Sequence, residues 1–258
     1  MNCLVFDIET VPDVALGRRL HGLDGLSDAQ VARAMFTLRR QETGSDFLSH
    51  EQHRVVAISC VLRSKDSLRI WSLGEPESSE QELIERFFDG IERFSPDLVS
   101  WNGGGFDLPV LHYRALKAGV QASRYWETGA EDTSFRYNNY LSRYHWRHID
   151  VMDVLSGYQP RARASLSDIA SLLGLPGKLG FSGDKVADAF LAGEIVAIRR
   201  YCETDVLNTF LIYLRFELMR GNLTRERYAE EVARVKALLR ASPEPHFAEF
   251  LRVWEAAL

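Results

Sequence analysis

The sequence predicts an α/β protein, a mixed β-sheet flanked by helices, and three observations carry that reading. β-rich runs gather before residue 102, whereas helical patterns fill the second half of the chain. An apolar run at residues 2–8 (NCLVFDI) reads as a short, largely buried strand, and residues 194–221 hold the longest helical pattern. The chain has 258 residues, 46% of them hydrophobic, so it can enclose a substantial core.

After the first strand, residues 13–53 are polar and charge-rich. SDAQVARAMFTLRRQ, with Ser27 as its N-cap, has a helical pattern, and the segment reads as a helical or partly mobile insertion. RVVAISCVLR (54–63) and SLRIWSLG (67–74) are β-rich and separated by SKD, which predicts a hairpin. Residues 79–94 place Leu83, Ile84, Phe87, Phe88 and Ile91 at helical spacing. PDLVSWNGGG reads as a strand entering a glycine loop, and FDLPVLHYRALKAG as a helix that Gly119 stops. Residues 120–148 are irregular and aromatic. HIDVMDVLS predicts a strand end or a short helix, SLSDIASLLGL a helix capped near Ser165, and GDKVADAFLAG another helix. In the long helix Leu207, Phe210, Leu211 and Leu214 mark an apolar stripe, and residues 222–258 form a helical extension. We read residues 1–258 as one domain.

Composition narrows the function classes. Charged residues make up 26% and aromatic residues 11%, which excludes disordered and collagen-like chains. A net charge of −5 argues against coating nucleic acid through a basic surface, but leaves room for an acidic site that recruits divalent metal. There is no apolar run long enough for a bilayer span and no evident export signal, so the expectation is a cytoplasmic protein without membrane contact. Cys3, Cys60 and Cys202 are scattered, match no zinc spacing and suit a reducing compartment as small buried hydrophobes.

Three acidic signals stand out. Asp7 and Glu9 lie two apart at a strand end, so both face one side while Phe6 and Ile8 face the other. Alone, they could simply be a strand re-entering solvent. Asp107 follows Gly103–Gly105 and Phe106 at a helix start, where a first-turn acid also suits the helix dipole. The loop lacks the G-K-[ST] of a phosphate-cradling Walker loop. Tyr201 and Asp205 sit at i and i+4 on the long helix and so share one face, though a solvated helical acid would look the same. Oxygen donors without a His or Cys cluster select hard cations such as Mg²⁺ or Mn²⁺. Paired ions of that kind drive displacement at phosphodiesters, and they need acids from separate segments converging on one point.

FDIET, LVSWNGGGFDLPVL, HIDVMDVLSGY, SLSDIASLLGLPGKLG and YCETDVLNTFLIYLR together resemble the three exonuclease motifs of the DEDD superfamily, tyrosine subtype. The likeness is strongest to the proofreading exonuclease domain of family B DNA polymerases, and to stand-alone bacterial proteins predicted to be exonucleases. It runs from residue 4 to about residue 215, and the long segment 13–53 departs from simpler members. The resemblance implies a ribonuclease H-like (DnaQ-like) fold with a five-stranded mixed sheet. It also implies that Asp7, Glu9, Asp107 and Asp205 hold two Mg²⁺ or Mn²⁺ ions, with Asp7 bridging and Asp107 acting close by. Tyr201 would orient the attacking water, since a phenol with a reference pKa of about 10 is a poor base.

Candidate substrate contacts are Ile8 and Thr10 beside the first acids, and Asn102 and Phe106 beside Asp107. Arg136, Arg143 and Arg147 lie among the aromatics of 133–148, a mixture suited to single strands, and Lys178 extends the cationic zone. Asp150 reads as a cap or hydrogen-bond acceptor. The expected activity is 3′→5′ hydrolysis at the 3′ end of a single strand, DNA favoured over RNA, releasing nucleoside 5′-monophosphates. An exoribonuclease and a non-catalytic nucleic-acid-binding module are the competing readings.

Overall fold

The computed structural model of the protein describes residues 1–65 and 67–256, so Asp66 of the predicted hairpin turn and the last two residues of the predicted C-terminal extension lie outside the described residues. Among the described residues five strands form one sheet: β1 (Cys3–Pro12), β2 (His53–Ser64), β3 (Ser67–Ser72), β4 (Asp97–Ser100) and β5 (His148–Asp150). Their order is β3-β2-β1-β4-β5. β2 runs antiparallel to both of its neighbours, whereas β4 and β5 continue parallel to β1. This is the mixed, ribonuclease H-like sheet.

Ten helices surround it among the described residues: α1 (Val14–His21), α2 (Asp28–Thr43), α3 (Glu80–Phe94), α4 (Asp107–Ala118), α5 (Val151–Leu155), α6 (Leu166–Leu172), α7 (Val186–Leu191), α8 (Ile195–Met219), α9 (Arg225–Ala241) and α10 (Pro245–Ala256). Segment 13–53 therefore holds two helices, and Ser27 caps α2 through a reciprocal bond with Gln30. HIDVMDVLS supplies a strand and a helix in succession, because Asp150 ends β5 and caps α5 by accepting from the Asp153 N–H.

β1 sorts its side chains strictly by parity. Cys3 and Val5 pack with Leu207, Phe210 and Leu214 of α8, while Leu4, Phe6 and Ile8 pack with Phe87, Ile91 and Leu111 of α3 and α4. Asp7 consequently points toward α8. The strand outruns the predicted 2–8 because it resumes pairing beyond Glu9 after a bulge. Glu9 pairs with Ala57 and Thr10 with Val55, leaving Val56 as the extra residue of β2 beside the acids.

The single apolar stripe expected on α8 is incomplete. Val206 through Leu214 are all buried, since the sheet covers one side and α6, α9 and α10 cover the others. The polar members of that run are accommodated by bonding. Asn208 accepts from the Gly177 N–H and donates to the carbonyls of Gly177 and Thr204. Gly177 has φ +62°, a left-handed conformation that favours glycine, so the loop turns there and is clamped to α8.

Segment 13–53 is tied to α4 through charge. Arg114 of α4, its side chain 2% exposed, contacts Asp13 at 2.7 Å and Glu80 at 2.6 Å, and Lys117 reaches Asp13 at 2.9 Å. Burial alone would raise the Asp13 carboxyl, but hydrogen bonds from Arg114, Lys117 and the Leu16 N–H outweigh it and hold the group at about 2. A depressed carboxylate stabilises the fold above its unfolded value and loses that contribution as pH falls toward the folded one. The stability difference between the wild type and Asp13→Asn should therefore shrink by about 2 kcal/mol between roughly pH 5 and pH 2, as measured by urea unfolding. An unchanged difference would show that Asp13 is not held ionised by these partners.

Candidate active site

Three elements deliver four acids to one place. β1 supplies Asp7 and the buried Glu9, the first turn of α4 supplies the buried Asp107, and the middle of α8 supplies the buried Asp205. Asp107 reaches β1 directly, its Oδ1 accepting the Ile8 N–H at 3.2 Å. Because Ile8 lies between the strand acids, this bond locks α4 to the point from which Asp7 and Glu9 project.

The glycine loop makes that approach possible by folding on itself. A Cβ on Gly103 would lie 2.3 Å from Ser100 Oγ. Asp150 accepts from the Asn102 and Gly104 N–H groups, at 2.9 and 3.0 Å. It serves as the loop's acceptor, one of the two roles read for it in the sequence.

Electrostatics show how closely the acids crowd. Burial raises the Asp7 carboxyl well above its usual range, and Asp107 and Asp205 raise it further. Glu9 is raised by burial and then by Asp7, Asp205 and Asp107. Burial pushes Asp107 up to about 7, against bonds from backbone N–H groups, and Asp205 up to about 6, against Tyr201 and Lys178. Burial also raises the Tyr201 phenol, as do Asp205 and Glu9, so it stays neutral. Asp205 Oδ1 is buried without a hydrogen-bond partner. An orphaned carboxylate oxygen among three other acids fits a hard divalent cation.

One neighbour escaped the sequence reading. Cys202 Sγ lies 3.4 Å from the Asp7 carbonyl and 3.5 Å from Asp7 Oδ2. One donor atom from each of Asp7, Glu9 and Cys202 falls within 4.8 Å of the others. Burial and Asp7 raise the thiol well above its ordinary value, so it is a neutral, weak donor to Asp7 rather than a thiolate ligand. Its position beside Tyr201 in YCETD was the available clue.

The substrate-contact candidates divide into two groups. Lys178 lies with the acids, 5.8 Å from the Tyr201 ring, on the loop that Asn208 clamps. Thr10 bonds His53 at 2.8 Å, and Phe106 packs edge-on to His53 at 5.0 Å. Ile8 is buried in the layer with α3 and α4 and offers its N–H to Asp107. Asn102 gives its N–H to Asp150. The arginines of the aromatic segment are engaged elsewhere or point outward. Arg143 pairs with Asp153 at 2.5 Å, Arg147 lies 3.7 Å over the Phe135 ring, and Arg136 is exposed.

A cleft of about 950 Å³ opens beside Glu9. Its floor includes Ile8 to Pro12, His53 and Phe106, one wall comes from α2, and the other comes from Lys178 and α7. No helix among the described residues is long and apolar enough to cross a membrane.

Comparison with known proteins gives the same direction. A 43-residue stretch is 51% identical to DNA polymerase 1 of Sulfurisphaera ohwakuensis, covering 17% of this chain and 5% of that protein. A 48-residue stretch is 46% identical to a DNA polymerase of Pyrococcus glycovorans, covering 18% and 6%. The chain thus spans a small part of the curated relatives it matches. The family B DNA polymerase structure from Pyrobaculum calidifontis aligns with all of this chain and 27% of its own, at a TM-score of 0.50 and 17% identity, a likeness of fold. Residues 45–254, which exclude Asp7 and Glu9 but include Asp107, Tyr201 and Asp205, match the family described as predicted 3′–5′ exonucleases related to the exonuclease domain of PolB. With that match covering most of its length, the chain belongs to this family of exonucleases related to the PolB exonuclease domain.

Proposed function

We propose that this chain is a divalent-metal-dependent 3′→5′ exonuclease that takes single-stranded or frayed 3′ ends, favours DNA and releases nucleoside 5′-monophosphates. The observation that carries this reading is the meeting of Asp7, Glu9, Asp107 and Asp205, with Asp205 Oδ1 left unpartnered. Asp7, Glu9 and Asp205 would hold two Mg²⁺ or Mn²⁺ ions, with Asp107 close by. Such ions, when bound, supply charge neutralisation at the phosphodiester and lower the pKa of the attacking water.

The chain's own residues do the rest. Tyr201, one helical turn before Asp205 and kept neutral by burial, would orient the attacking water by hydrogen bonding. Lys178, beside the acids and 5.8 Å from the Tyr201 ring, would meet the phosphate. Residues 1–258 would form one exonuclease domain, with 13–53 inserted and 222–258 appended. Three free, buried thiols suit a cytoplasmic location.

The test is incubation of pure protein with 5′-labelled single-stranded DNA, and with a matched RNA, in Mg²⁺ or Mn²⁺. The expected result is a shortening DNA ladder that requires metal and disappears in Asp205→Ala. A faster RNA ladder would reassign the substrate. Internal cuts would make the protein an endonuclease, and intact DNA and RNA under both metals would leave a binding module.

A further inference from the structure

One face of α2 lines the cleft beside Glu9. Ala29, Arg33, Phe36, Thr37 and Arg40 recur at helical spacing, and all line it. The opposite side of the helix packs Val31 and Met35 against Leu48, which fixes the lining face toward Glu9 and Thr10. Segment 13–53 is therefore a wall of the cleft that Glu9 opens into.

That wall carries chemistry suited to a strand end. Phe47 is 56% exposed although it is large and apolar, and its ring lies 5.4 Å from Phe106 and 5.5 Å from His53. His50 joins them at 5.9 Å from Phe106. Phe47 thus presents an open ring backed by Phe106, His53 and His50, and Phe106 is one residue from Asp107. Base stacking on such a platform tolerates any sequence, because every base has a π-face. Arg40 is paired with Asp46, and Asp184 and Asp188 line the far wall. Arg33 is different: among the described residues its side chain has no partner, and it faces the cleft.

We propose that segment 13–53 is the substrate arm of the site: the 3′-terminal bases of a single strand stack on Phe47, and Arg33 meets a backbone phosphate on their 5′ side. The occupant is argued from continuity, since Ile8, Glu9 and Thr10 line the same cleft as Arg33 and Phe47. The volume of about 950 Å³ is at the upper end of the range for small-ligand sites, room for more than a single nucleotide. This inference rests on the exonuclease reading above.

The experiment uses Phe47→Ala, Phe47→Trp and Arg33→Ala, all at exposed positions. Binding of a fluorescent single-stranded DNA carrying 3′-terminal 2-aminopurine is measured in EDTA, and cleavage kinetics are measured in Mn²⁺. Phe47→Ala should weaken binding and raise KM by about tenfold, with kcat changed by less than about twofold, and should restore the quenched 2-aminopurine signal. Phe47→Trp should recover both properties. Arg33→Ala should weaken binding and flatten its salt dependence. A wild type that degrades DNA, with variants equal to it in binding and KM, overturns the arm and leaves the exonuclease reading standing. A wild type that binds with these losses but cleaves nothing overturns the exonuclease reading and keeps the arm. Neither binding nor cleavage overturns both.

Discussion

Asp7→Asn should lose more than about 100-fold in exonuclease rate and yet be the more stable protein in EDTA. Altering a partner one shell away from a metal costs about 10–100-fold, so removing a direct ligand costs more. The gain in stability follows from the same geometry. Asp7 is raised by burial, then by Asp107 and Asp205, which means that the metal-free fold holds this charge at a penalty. Replacing it with an amide of nearly the same shape should raise metal-free stability and the thermal midpoint. Adding Mn²⁺ should then stabilise the wild type more than the variant. Thermal melts with EDTA and with Mn²⁺, alongside the cleavage assay, check both halves. A variant that cleaves normally would remove Asp7 from the site, and one that melts lower in EDTA would contradict the repulsion.

Arg114→Ala should destabilise the fold by about 3–5 kcal/mol. Arg114 donates to Asp13 at 2.7 Å and, through two nitrogens, to Glu80 at 2.8 and 2.6 Å, while Glu80 also accepts the Val55 N–H. Removing the guanidinium leaves Asp13 to Lys117 and the Leu16 N–H, and Glu80 to the Val55 N–H, in surroundings from which water is largely excluded. Urea unfolding would read the loss directly. The exposed Arg86–Glu82 pair provides the contrast, and Arg86→Ala should cost no more than about 0.5 kcal/mol. Equal losses at the two positions would mean that burial does not set the value of these ion pairs.

The features legible in the sequence are those set by local periodicity. Alternation along β1 put Asp7 opposite Ile8, and the i, i+4 rule put Tyr201 and Asp205 on one face of α8. Ser27 and Ser165 announced the starts of α2 and α6. What stayed hidden depends on contacts between distant segments. The Val56 bulge arises from pairing between strands more than forty residues apart, and nothing local marks it. Cys202 looked like filler, because its partner Asp7 is 195 positions away. The wall formed by α2 was invisible for the same reason: its lining face is a polar helix face until the partner across the cleft is known. The run Val206–Leu214 did carry a signal, since burial all round requires covering layers that one apolar stripe does not.

That buried run also sets how the cleft divides mechanically. Tyr201 and Asp205 ride on a helix clasped on every side, so moving them means opening the whole core. The facing wall rests on α2, in which only Val31, Ala32 and Met35 are buried. Few apolar contacts hold that helix down, and its amides belong to a separate, cheaper opening unit. The carboxylates are thus held independently of the opposite wall, and the proposed exonuclease would admit strand ends of varying shape without moving them.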